Sequence, residues 1–288
     1  SNGTSAGTEY TTGVTKDDSA YKTTITIASG VANLFYYCQN HSGMGAEINT
    51  NTTKGSTNFD GSVTSVVKAN TSAGFSIVKY TSTNSDLTFG HGLGVTPAWV
   101  LIKNYQYSGG VNWVTWHQNL GDSTILRINL NDAPFSNSNY IVPTSTTIGG
   151  KGGTALSNSN NEVIVYCFSE VAGFSRFGKY TGNNVDGENA FIYCGFRPAW
   201  IMIKASGNGG DSYRWVIHDA TRETGNPTLR RLSPNKTDAE STFTGTTALI
   251  DFLSNGFKIR GNGSLIGASV DYVFYAFAEA PFKYARAR

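Results

Sequence analysis

Cys38, His41 and Met44 stand three apart in Tyr36-Tyr37-Cys38-Gln39-Asn40-His41-Ser42-Gly43-Met44-Gly45, a glycine-punctuated loop straight after an apolar strand. A thiolate, an imidazole and a thioether make a soft ligand set suited to copper. Three ligands on one loop rarely close a site alone. The other histidines, His91, His117 and His218, all lie downstream.

A second group is aromatic. Tyr105, Tyr107, Trp113, Trp116, Tyr213 and Trp215 lie in or beside segments rich in Gly and Asn. Aromatic faces stack on sugar rings, and Asn or Asp side chains supply hydrogen bonds to hydroxyls. These six are the candidate glycan contacts. Trp99 and Trp200 lie inside apolar runs and read instead as core. His91 sits in Gly-His-Gly-Leu-Gly with no helix following, so the run reads as a turn whose His packs or caps, not as a phosphate loop. His117, His218, Asp219, Glu170, Glu279, Asp251 and Asp271 are scattered and show no carboxylate pairing of the kind glycoside hydrolysis needs. No serine elbow, zinc pattern or phosphate loop is present. The expectation is a protein without catalytic residues. The rival enzyme reading is a glycan depolymerase.

Composition sets the frame for those residues. The chain has 288 residues, only 15% charged, with 33 Gly and a net charge of +2. Low charge and many glycines suit short strands and frequent turns. A near-neutral balance with no basic stripe gives nucleic-acid binding little electrostatic support. The basic stretch Lys283 to Arg288 reads as a solvated end. No apolar run approaches the roughly 20 residues of a membrane helix. Three cysteines are too few for a disulfide scaffold. Cys167 and Cys194 fall in apolar, strand-like runs and read as small buried hydrophobes rather than as a bridge.

The chain repeats itself. Residues 74–170 and 173–279 share four landmarks in the same order. Gly94-Val95-Thr96-Pro97-Ala98-Trp99-Val100-Leu101-Ile102-Lys103 matches Gly195-Phe196-Arg197-Pro198-Ala199-Trp200-Ile201-Met202-Ile203-Lys204. Gly74-Phe75 with Lys79-Tyr80-Thr81 matches Gly173-Phe174 with Lys179-Tyr180-Thr181. Asn112-Trp113-Val114 matches Arg214-Trp215-Val216. Both copies close on an aromatic strand ending in Glu170 or Glu279. Glutamates at matched strand ends point to a salt bridge or a turn contact. Duplication of a unit of about 100 residues is the simplest account.

The unit reads as strands throughout. Thr124, Leu126, Ile128 and Leu130 alternate with Ile125, Arg127 and Asn129, the period of a two-faced strand. Pro97 and Pro198 precede short apolar runs, where a strand's first residue needs no ladder donor. Gly225, Pro227 and Pro234 break up the helix-compatible pieces of 219–240. Residues 49–73 are polar and rich in Thr, Ser, Asn and Gly, and read as a linker with one strand over Ser62 to Val67.

Two resemblances extend this reading. The loop carrying Cys38, His41 and Met44 resembles the last ligand loop of the cupredoxin fold, whose copper site also takes a second His from an earlier strand. That His is absent upstream here. The resemblance implies copper only if missing residues or another chain supply it; otherwise no cofactor is expected. A cupredoxin-type redox protein is the alternative reading. The duplicated region resembles a domain of unknown function at the C-terminus of virion structural and tail-fibre proteins of marine tailed phages. Carrying the likeness are Gly74-Phe75-Ser76-Ile77-Val78-Lys79-Tyr80, Gly90-His91-Gly92-Leu93-Gly94, Gly195-Phe196-Arg197-Pro198-Ala199-Trp200, Asp251-Phe252-Leu253-Ser254-Asn255-Gly256-Phe257-Lys258 and Ala278-Glu279-Ala280-Pro281-Phe282-Lys283-Tyr284. This implies a particle component in the virion, with other virion proteins and itself as partners, a homo-oligomer and in the first instance a trimer. The polar, Gly-, Thr- and Asn-rich composition with aromatic loops suits contact with host glycan. The expected architecture is all-β: a partial cupredoxin-like segment (1–48), the linker (49–73), and two related jelly-roll-like β-sandwich units (74–172 and 173–288).

Overall fold

The computed structural model describes residues 8–27, 34–38, 45–48, 55–136, 141–158, 160–242 and 249–279. The chain is all-β in antiparallel sheets. It opens with two hairpins, β1 (Val14–Asp17) with β2 (Lys22–Ile25) and β3 (Leu34–Tyr37) with β4 (Gly45–Ile48). Next come β5 (Ser56–Asn58) and β6 (Ser65–Asn70). The strand expected over Ser62 to Val67 is found displaced to β6, which pairs along β7 from Ser65↔Tyr80 to Asn70↔Phe75, and β5 beside it makes more of the expected linker into sheet. The apolar signal of β6 is weak because only alternate residues, Ser65 and Val67, turn inward.

The first unit then runs β7 (Phe75–Thr81), β8 (Leu87–Gly90), β9 (Trp99–Asn104), β10 (Val114–His117), β11 (Thr124–Arg127), β12 (Phe135–Ser136), β13 (Val142–Pro143), β14 (Thr147–Gly150) and β15 (Glu162–Phe168). The second runs β16 (Ser175–Thr181), β17 (Phe191–Tyr193), β18 (Pro198–Ala205), β19 (Val216–Asp219), β20 (Arg230–Arg231), β21 (Ser241–Thr242), β22 (Ile250–Leu253), β23 (Gly256–Ile259) and β24 (Asp271–Ala278). The main sheet of the first unit has the order β12-β11-β10-β9-β15-β7-β6-β5, and that of the second has β16-β24-β18-β19, with the β20-β21 ribbon joined to β19 by the Ile217↔Leu232 bridge. Small sheets β13-β14-β8 and β17-β23-β22 face them. Strand for strand the two sets correspond, except that nothing among the described residues of the second unit matches β5 and β6.

Register sharpens the correspondence. Val163 pairs with Tyr80 and Asn104, and Tyr272 with Tyr180 and Ala205. The ladders also place Ser175, not Phe174, opposite Phe277, where Phe75 lies opposite Phe168. The sequence match of Gly74-Phe75 with Gly173-Phe174 is thus one residue out of step with the pairing. A turn closed by the Val171↔Ser175 bridge accommodates the difference.

The central strands of each main sheet are covered on both faces. Alternate residues of β9 and β15 (Val100, Ile102, Val163, Val165, Cys167) join Leu87, Phe89 and Ile148 of the small sheet in one sandwich core. Ile201, Ile203, Tyr272 and Phe274 do the same with Ile192, Phe257 and Ile259 in the other. The opposite faces meet between the units. Trp99 and Leu126 pack on Phe177, Met202, Trp215, Val273 and Tyr275, forming a third core. Burial on both faces explains why β24 is apolar almost without interruption.

Candidate functional site

The turn joining β9 to β10 carries three of the aromatic candidates at one end of the first unit's main sheet. Tyr105 is 47% exposed, and its hydroxyl donates to Glu162 at the start of β15. Lys79 from β7 holds the same carboxylate at 2.8 Å. Desolvation, then the bond to Glu162, pushes the Tyr105 phenol up to about 12. The hydrogen bonds from Lys79 and Tyr105 hold Glu162 below the usual carboxylate range. Gln106 Oε1 accepts the Glu162 N–H at 2.9 Å, so the turn is tied to the strand end.

Tyr107 is half-buried. Its N–H donates to Asn104 Oδ1 at 3.1 Å, and its ring lies over Gly109, where a Cβ would sit 2.5 Å from the ring. A side chain at 109 would push that ring aside. Trp113 is half-buried with Lys103 Nζ 6.0 Å from its ring centre, within cation–π range. Lys103 also donates to the Val111 carbonyl. Asn129 accepts the Trp113 N–H at 3.0 Å and donates to Asn112 Oδ1 at 2.8 Å. The result is a polar ledge of Tyr, Trp, Asn, Gln, Lys and Glu at the end of rigid strands. Stacking on a sugar face and bonding its hydroxyls is the chemistry such a ledge can do.

The other three aromatics are elsewhere. Trp116 lies in β10 inside the first core, with Nε1 donating to the Gly121 carbonyl at 3.0 Å. Trp215 is fully buried between the units, with Nε1 donating to the Arg127 carbonyl at 2.9 Å. Neither ring presents a face to a ligand, which corrects their assignment as glycan contacts. Their Gly- and Asn-rich neighbours mark turns, but the sheet packed over them is invisible in sequence. Tyr213 is half-buried against the second core. Sequence reading also missed Lys79, Lys103, Gln106 and Glu162, which bind the ledge together; lysines at matched positions of the repeat were the one available signal.

Of the soft-ligand trio, Cys38 follows β3 and is half-buried; His41 and Met44 lie outside the described residues. Among the described residues no three of His, Cys, Asp and Glu converge as a metal site. Cys167 and Cys194 occupy separate cores and are unbridged. Burial raises both thiols.

The remaining polar candidates have structural partners. His91 Nε2 bonds the Thr144 carbonyl at 3.2 Å while Nδ1 accepts the Leu93 N–H. Glu170 pairs with Arg176 at 2.9 Å, and Glu279 with Arg197 at 3.8 Å. Asp219 pairs with Arg222, Asp251 with Arg260, and Asp271 accepts from the Thr181 hydroxyl. His117 bonds the Phe274 carbonyl across the unit junction. His218 is fully buried, with Nδ1 on Thr228 Oγ1 at 3.3 Å.

No curated protein and no solved structure matches the chain. A family model described as "Domain of unknown function (DUF7483)" matches residues 25–281, so the chain belongs to that family.

Proposed function

We propose that this chain is a structural and adhesive component of a tailed-phage virion, a tail fibre or a capsid decoration, touching host-surface glycan through the β9–β10 ledge. The virion setting is supported by the resemblance carried by Gly74 to Tyr80, Gly195 to Trp200 and Asp251 to Lys258. The observation that carries the adhesive part is the ledge itself. Tyr105, Tyr107 and Trp113 sit beside paired amides and a fixed Lys79–Glu162–Tyr105 network, on strands whose other ends are locked into a core. A single ledge of this size binds weakly. Display on a homo-oligomer, a trimer in this reading, turns weak contacts into firm attachment by raising effective concentration.

The test is a glycan array probed with the chain displayed on streptavidin, beside Tyr105→Ala and Trp113→Ala. The expected outcome is a restricted set of bound glycans, lost in both variants while Tyr213→Ala retains binding. Equal binding by all forms, or none by the displayed wild type, removes the ledge as an adhesive site.

A further inference from the structure

The second unit has an open groove where the first unit is closed by a strand of its own. In the first unit the segment from Gly61 to Asn70 seals the mouth between the two sheets. Ser62 and Val63 N–H donate to the Thr88 carbonyl at 2.9 and 3.1 Å, and Thr88 N–H donates to Ser62 Oγ at 2.8 Å. Ser65 Oγ donates to the Gly90 carbonyl at 2.8 Å. From Ser65 onward the segment is β6, paired along β7, with Val67 resting on Gly92, where a Cβ would sit 2.8 Å from its methyl.

Among the described residues, the second unit keeps the receiving surface without the strand. Pairing with β14 and β23 sets Phe191, Ile192 and Tyr193 at the positions of Thr88, Phe89 and Gly90. Phe191 and Tyr193 are 48% and 66% exposed, on an edge strand. β16 is likewise an edge. A groove of about 370 Å³ runs between them, bordered by Arg176, Gly178, Lys179, Ile192, Tyr193 and Phe274. At Gly195, which takes the place of Gly92, a Cβ would meet nothing nearer than the Tyr193 hydroxyl at 3.5 Å.

The edge is half dressed. Phe177 N–H donates to Glu170 Oε1 at 2.9 Å, and its carbonyl accepts from Gln118 Nε2 at 2.6 Å. Phe177 therefore points its backbone outward. In an antiparallel ladder alternate residues point the same way, so Lys179 and Thr181 do too. Lys179 corresponds to Lys79, which faces Val66 of the sealing segment. Lys79 pairs with Glu162, but Asp271 at the corresponding place is taken by Thr181, and Lys179 has no ion pair among the described residues.

We infer that this groove is a strand-acceptor site, and that its occupant is an extended segment of another polypeptide, built of small-polar and β-branched residues like Ser62 to Val67, with a carboxylate for Lys179. Such a segment bridges to β17 and pairs with β16 at Lys179, beyond the capped Phe177, as Ser62 to Val66 does for β8 and β7. Main-chain bonds provide affinity, and alternate side chains facing the core provide selectivity. This site is separate from the β9–β10 ledge and does not depend on it.

The probe is a labelled synthetic peptide of residues 60–70 added to the whole chain. Saturable binding is expected, with photo-crosslinks on residues 176–195. A copy N-methylated at Val66, which cannot donate to the Lys179 carbonyl, should bind about tenfold more weakly, the effect of one lost main-chain bond. Lys179→Pro, which blocks the same edge from the protein side, should abolish binding. The N-methyl peptide keeps the test decisive if that variant fails to fold. Absence of binding, equal affinity of the N-methylated or a scrambled peptide, or crosslinks confined to residues 75–90 would overturn the assignment.

Discussion

Gly178 and Phe274 face each other across the ladder between β16 and β24, where the first unit has Val78 and Val165. A Cβ on Gly178 would lie 2.6 Å from the Phe274 ring. The pair keeps its combined bulk by moving it to one side, as close packing demands. Gly178→Val should therefore cost about 1–3 kcal/mol through overpacking, and Phe274→Val about 2 kcal/mol or more through the cavity it leaves. The double substitution rebuilds the first unit's pair and should cost less than the sum, as read by urea unfolding of all four forms. Strict additivity would mean that the two side chains do not share this space. Neither residue is conspicuous in sequence, since an isolated Gly in a strand signals a close approach without saying to what. Tyr80 and Tyr180 were legible as a matched pair. The reason for the match appears only in three dimensions, where each hydroxyl donates to a carbonyl of the loop before the closing strand, Leu156 at 2.6 Å and Ile266 at 2.7 Å.

At the scale of elements, the exposed edge of β16 is the feature that needs protection, because an unpaired edge is a template for further pairing. Glu170 and Gln118 act as side-chain stand-ins for a neighbouring strand at Phe177, and Arg176 holds Glu170 in place. Glu170→Ala removes the acceptor for one N–H and the partner of Arg176. It should lower stability by about 1 kcal/mol and increase self-association in a concentration series of light scattering. An unchanged scattering profile would mean that Glu170 does not guard this edge. Strand identity was widely legible from sequence. Thr124 to Arg127 form β11, with Ile125 in the first core and Leu126 in the third, although the alternation read as far as Leu130 ends at Arg127. Trp99 to Ile102 form a continuous apolar run because β9 is covered on both faces. Less legible were the bounds of β6, expected over Ser62 to Val67 and found at Ser65–Asn70, because only Ser65 and Val67 turn inward, too short an alternation to fix its ends. The glycan candidates divided for a similar reason: neighbours in sequence place Tyr105 and Trp215 alike beside turns, while only packing separates an exposed ring from one sealed between sheets.

Across the whole molecule, the junction between the units is a third core, closed by hydrogen bonds that cross it. His117 is fully buried there, edge-on to Tyr275 at 4.9 Å, with Nδ1 accepting the Asn119 N–H, which leaves Nε2 as donor to the Phe274 carbonyl at 3.2 Å. That arrangement requires the neutral ring. Burial pulls the His117 imidazole down to about 4 and, aided by Arg231 and Arg222, that of His218 to about 3, from 6.5 in the unfolded chain. With the folded value depressed, the unfolded state binds more protons between the two values, so stability rises with pH there. The contribution is whole above pH 6.5 and drains away as the pH falls toward 4. For His117 it is on the order of 3 kcal/mol. Replacing His117 by Gln keeps an amide N–H for the Phe274 carbonyl but removes the titration. Urea unfolding from pH 7 to pH 4 should then show a steep loss of stability for the wild type and a shallower one for His117→Gln, with His218 and His91 supplying the remaining slope. The paired carboxylates Glu162 and Asp219 are held below their usual range, so their own losses begin below about pH 5, at the acid end of this window and equally in both proteins. Parallel slopes in the two proteins would mean that His117 is not held neutral by the junction, and the units would then meet through a wetter contact than Trp99, Trp215 and Tyr275 describe.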